Sequence, residues 1–75
     1  MNTKRRAYII TMMIHEEAHF FVREEIDKVT KESVGIFSRD LKDAKKFLSK
    51  EQAEIWASGY QGARVERITE GEVLK

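Results

Sequence analysis

The chain has 75 residues, 36% of them charged, a net charge of +1 and no cysteine. That length supports one small domain with a thin core, burying roughly 60% of the unfolded surface. The missing thiols exclude disulfides and thiolate-ligated zinc clusters, and the balanced charge argues against a tail held on nucleic acid by bulk charge alone.

The N-terminus sets Lys4, Arg5 and Arg6 before an apolar block, Ala7–Ile14, which imitates the start of a signal peptide. His15, Glu16 and Glu17 then stand where small residues would be needed for cleavage. The block is also far shorter than the ~20 residues of a membrane-spanning helix. The expectation is a soluble, unprocessed chain in the cytoplasm. Tyr, Ile and Thr in Ala7–Ile14, with apolar side chains at odd and even positions alike, predict a central strand covered on both faces.

His19–Ile26 comes closer to alternation. Phe20, Val22 and Ile26 share one face, and Phe21, Arg23 and Glu25 the other; Glu24 interrupts the pattern, so the strand ends early or bulges. The link between the two strands lacks Gly, Asn and Pro, which predicts a loop of three to five residues instead of a two-residue primed turn. Asp27–Ser33 reads as a second turn with Lys31, Glu32 and Ser33 at its tip, and Val34–Phe37 as a short strand weakened by Gly35.

Asp40–Phe47 fits either a helical turn or a turn followed by an extended piece. Ser49 is then a helix N-cap, Gln52 completes a capping box, and Glu51 suits the positive end of the helix dipole. Ala53, Trp56, Ala57 and Tyr60 form an apolar stripe, with Gly59 and Gly62 as the stop. Ala63–Thr69 alternates and reads as a last strand.

The expected fold is α+β: a small, mostly antiparallel sheet with chain order β-β-β-α-β and one main helix packed on one face. One domain spans residues 1–75, with flexible ends at 1–6 and 70–75. A single helix covers one face only. Tyr8, Ile10, Met12 and Phe21 are assigned to the open face, which predicts a homodimer or contact with a partner protein.

His15-Glu16-Glu17-Ala18-His19 matches the H-E-x-x-H pattern of zinc peptidases, in which one helical face carries both histidines and the Glu is the general base. A helix is a poor fit to a stretch rich in β-branched and aromatic residues, and no third histidine exists. His15, Glu16 and His19 are therefore read as a solvated turn, and no metal, cofactor or catalytic residue is assigned. Lys4, Arg5, Arg6, Lys45, Lys46, Arg64 and Arg67 offer an alternative, a nucleic-acid-binding module using the open sheet face and the basic N-terminal segment. Interleaved acids such as Asp43 and Glu66 favour a solvated mixed surface. Trp56 and Tyr60 read as core, and neither a phosphate-binding glycine loop nor an activated serine is present.

The YIITMM strand, the DLKDAKKF segment leading into SKEQAEIWA, and the glycine-bearing run into Ala63-Arg64-Val65-Glu66 resemble small accessory proteins encoded by temperate phages of staphylococci and related Gram-positive bacteria. That resemblance implies a phage or prophage protein working in the host cytoplasm on a host or phage protein. It assigns no catalytic or binding residue.

Overall fold

The computed structural model describes residues 5–70, with side chains from 6 to 68. The elements are β1 (Arg5–Ile14), β2 (Glu17–Ile26), β3 (Ser33–Ser38), a 3-10 turn at Leu41–Asp43, α1 (Lys50–Ala57) and β4 (Ala63–Glu70). All pairings are antiparallel and the strands lie in the order β3-β2-β1-β4. Three strands run on by hairpins and the fourth returns beside the first, a Greek-key order whose long connection carries the helix across one face. The expected α+β architecture with a single covering helix is what the chain adopts. Residues 1–4 and 71–75 lie outside the described residues; Arg5, Arg6 and Glu70, expected in flexible ends, are paired, Arg5 with Glu70 and Arg6 with Thr69.

β1 and β2 pair only from Thr11↔Phe20 to Ile14↔Glu17 and then diverge. The segment after the 3-10 turn fills the wedge between them. Lys45 donates its backbone N–H to the Phe21 carbonyl at 2.9 Å, and Phe47 and Tyr8 exchange two backbone hydrogen bonds of 2.8 Å. Asp40–Phe47 is thus a capped turn followed by an extended piece. Asp40 accepts from the Lys42 N–H at 3.0 Å to start the turn.

The helix forms where its signals lie. The Ser49 hydroxyl accepts from the Gln52 N–H at 3.3 Å, the N-cap arrangement, and the buried Ala53 and Ala57 let α1 sit close to the sheet. The stop differs from expectation. α1 ends at Ala57, with Ser58 still in right-handed helical geometry and Gly59 N–H bonding back to Trp56. The left-handed residue is Gly62 (φ 85°), in the turn that enters β4. Tyr60 therefore lies past the helix, yet its ring joins the core.

That core centres on Phe21, whose ring meets Phe37, Phe47, Trp56 and Tyr60 with centroids 5.6–6.4 Å apart, around Ile10, Ala53 and Ala57. Such offset and edge-on pairs each contribute about 0.5–1.5 kcal/mol beyond the area they bury.

A bulge shifts the β2–β3 register between Phe21 and Arg23, leaving Val22 without a partner. The shift reverses the facing of the rest of β2. Arg23 and Glu25 now share the face of Phe20 and Val22, whereas Glu24 and Ile26 turn toward the helix side, a correction to the faces read from sequence, which set Ile26 with Phe20 and Val22, and Arg23 and Glu25 with Phe21. Of the two outcomes expected from Glu24, an early end or a bulge, the strand takes the bulge, placed at Val22, while Glu24 itself pairs with Gly35.

Beyond the bulge the β2–β3 hairpin has no β1 partner and every residue from Arg23 to Val34 is exposed. This projecting arm stretches the molecule to 50 × 25 × 20 Å, with a radius of gyration of 13.6 Å against about 11 Å for a sphere-like chain of this length. Its tip is Lys28–Lys31, with Ser33 already in β3. Asp27 organises it by accepting from the N–H groups of Thr30 and Val29, which hold its carboxyl below the usual range.

Candidate interaction surface

The side of the sheet away from α1 is set by register. On β1 it carries Ala7, Ile9, Thr11 and Met13; their neighbours are Phe20 and Ala18 on β2 and Ile68, Glu66 and Arg64 on β4. Val22 and, past the bulge, Ile36 and Val34 extend it along the arm. The result is an apolar band in which Phe20, Val22, Ile36 and Ile68 are half-buried and Met13 is exposed, set around the buried Ala7, Ile9 and Thr11, with no helix among the described residues packed on it. At its centre the buried Thr11 hydroxyl donates to Glu66 Oε1 at 2.9 Å, while Arg64 holds Glu66 Oε2 at 3.0 Å. Each polar group there is satisfied, so the band is a finished surface and not a ruptured core.

The four residues assigned to the open face belong to the other side. Ile10 (0% exposed) and Phe21 (1%) are core beneath α1, and Tyr8 packs against them. Met12 has the same phase, opposite Ala63. The physical reason is bulk: the helix side collects the aromatic cluster, whereas Ala7 and Thr11 leave the odd positions of β1 smaller and more polar. Both sets looked alike in an all-apolar strand, and Thr11 was the one cue to the facing.

The H-E-x-x-H stretch is extended chain. Glu17–His19 is in β2, and His15 and Glu16 make a two-residue turn with φ of 53° and 66°. The sequence argued for a longer loop because neither residue is Gly or Asn; the pairing of Ile14 with Glu17 instead closes the hairpin tightly, in the primed geometry that matches strand twist. The helical face required by the peptidase pattern does not form. His19 Nδ1 lies 3.0 Å from the Glu17 carbonyl oxygen, and among the described residues no three His, Asp or Glu side chains converge on a metal position.

The basic residues do not gather. Arg6 and Arg67 have the facing of Tyr8, on the helix side, and Lys45 Nζ stands 5.4 Å from the Phe47 ring centroid. Arg64 is on the opposite side, paired with Glu66, and Lys46 bonds the Ala44 carbonyl at 3.2 Å. Lys4 and the Arg5 side chain lie outside the described residues. A groove of about 410 Å³ separates α1 from β4, lined by Lys50, Glu54, Ala57, Ser58, Ala63, Arg64 and Val65, but it is open, and its cations are already paired, Lys50 with Glu54 (4.0 Å) and Arg64 with Glu66 (3.0 Å).

One contact had no signal in the sequence. The Tyr60 ring lies so close over Gly35 that a Cβ there would stand 2.6 Å from it, and its hydroxyl donates to Glu24 Oε2 at 2.7 Å. Burial, then the Glu24 bond and charge, push the Tyr60 hydroxyl up to about 12. This contact ties the projecting arm to the body. Among the described residues no helix is long and apolar enough to cross a membrane. No protein-family model matches the chain, and no curated protein or solved structure matches it.

Proposed function

We propose that this chain is a non-catalytic interaction module that works through protein–protein contact as a homodimer. The supporting observations are the uncharged outer strand β3, Ser33–Ser38, and the half-buried apolar band interleaved with Arg23, Glu25, Arg64 and Glu66, beside a core already complete on the other face. Apolar surface of this kind, bordered by charge, is a common mark of a contact site. The resemblance to phage accessory proteins adds an expected setting, the host cytoplasm, and an expected target, a host or phage protein met by the band.

Sedimentation velocity across micromolar to near-millimolar concentration tests the reading. A reversible monomer–dimer equilibrium is the expected outcome; a strict monomer throughout removes the homodimer. A gel shift at low salt addresses nucleic acid in the same preparation, and the scattered cations lead us to expect no shift.

A further inference from the structure

We propose that two copies of this chain join through the outer edges of β3, running antiparallel, so that the four-stranded sheet continues into that of a second copy. The inference rests on the homodimer reading above and supplies its geometry.

The two edges of the sheet differ in kind. β4 presents Arg64, Glu66 and Arg67, the charges by which natural edges discourage pairing. β3, Ser-Val-Gly-Ile-Phe-Ser, has no charge and no proline along its whole length. Among the described residues, no turn or loop backbone group bonds to Ser33–Phe37.

Which groups of β3 are free follows from hydrogen-bond phase. Asp27 N–H bonds the Glu32 carbonyl at 2.8 Å and closes the β2–β3 hairpin. Bonded and non-bonded pairs alternate from there. Glu25↔Val34 and Arg23↔Ile36 are therefore bonded, and Ile26↔Ser33 and Glu24↔Gly35 are not. The Phe21 carbonyl, spent on Lys45, gives Phe37 the same phase as Gly35. Ser33, Gly35 and Phe37 thus direct their N–H and C=O groups outward.

A two-fold axis perpendicular to the sheet keeps both helices on one side. Only one such register uses all three outward residues: Gly35 meets the second copy's Gly35, and Ser33 meets the second copy's Phe37. Three bonded pairs of this kind make roughly six hydrogen bonds. On the free side, the same register sets Val34 against the second copy's Ile36, twice, extending the apolar band across the junction. Slipping by two residues brings Arg39 into the pairing and loses one bonded pair. Arg39 is already turned back onto Glu17 at 3.1 Å. An interface of one strand per copy lies at the small end of specific contacts, so a weak, concentration-dependent dimer is expected.

Charge placement tests it. V34K/I36K sets Lys against Lys twice and is expected to sediment as a monomer wherever the wild type is dimeric. V34K/I36E sets Lys against Glu twice and is expected to recover the dimer. Phe20→Lys, on the band but away from the edge, is expected to stay dimeric. Hydrogen exchange on the wild type supplies a reading that needs no variant: Ser33, Gly35 and Phe37 amides gain protection as concentration rises, while Val34 and Ile36 are protected throughout. A dimer retained by V34K/I36K and lost in Phe20→Lys overturns edge pairing and leaves the homodimer reading standing, as face-to-face contact. Failure of V34K/I36E to recover while it melts like the wild type overturns the register, because residues 34 and 36 of the two copies then do not face each other. A wild type that is monomeric at every concentration overturns both proposals.

Discussion

Phe20 and Phe21 are neighbours on one strand and face opposite sides of the sheet. Phe21 is sealed among four aromatic rings under α1, and Phe20 lies half-buried on the band away from the helix. The same side chain therefore serves two ends. On the helix side apolar area is spent on stability, and on the free side it stays available to another surface. A 75-residue chain has core enough for one such cluster.

Alanine at the two positions separates these roles. Phe21→Ala opens a cavity where the ring contacts converge and is expected to cost about 3–5 kcal/mol. A domain of this size has roughly 4–11 kcal/mol in total, so a thermal melt should show it near or past unfolding. Phe20→Ala is expected to cost about 1 kcal/mol, the transfer of a partly exposed ring. Equal losses at both sites would mean that the free face is core as well.

The joint between arm and body is next in size. Gly35→Ala drives a methyl into the Tyr60 ring, held in place by Glu24, and overpacking of this sort costs about 1–3 kcal/mol. Pairing it with Tyr60→Ala should remove most of that penalty in a double-mutant cycle. Additive losses would show that the arm is not anchored through this ring.

Much of the fold was legible because local signals agreed. Ser49, Gln52 and the Ala53–Ala57 spacing located the helix, and β-branched runs located the strands. Facing was the part that stayed hidden. β1 is apolar at odd and even positions, so nothing within the strand chose a side; the choice came from long-range packing of Phe37, Phe47 and Tyr60 around Phe21. The bulge at Val22 then inverted half of β2, and only Glu24 hinted at it. Phe47, drawn into the wedge between β1 and β2, and the strip of free backbone on β3 are products of strand order, which no local pattern encodes.

The β1–β2 turn shows local preference overruled. Both His15 and Glu16 hold positive φ, a region costing roughly 1–2 kcal/mol per residue for side chains of this kind. His15→Asn with Glu16→Gly fits the same primed turn without that strain. A gain of about 1–2 kcal/mol in denaturant midpoint analysis is expected, with the proposed self-association unchanged, since the turn lies past the C-terminal end of β3 and not beside Ser33–Phe37. A loss would mean that the native pair makes contacts that offset its strain.

The smallest effect is confined to alkaline pH. Folding raises the Tyr60 hydroxyl from 10.0 to about 12, chiefly through burial and then through the Glu24 carboxylate that accepts its proton. The folded state thus holds this proton more tightly than the unfolded chain does. The contribution is complete below pH 10 and is lost as pH climbs toward 12. Tyr60→Phe keeps the ring over Gly35 and removes the titration. Its melting temperature should fall less steeply than that of the wild type between those limits, while near neutrality the two differ only by the loss of one partly solvated hydrogen bond. Parallel alkaline slopes would show that the arm leans on the ring alone, with Glu24 a bystander.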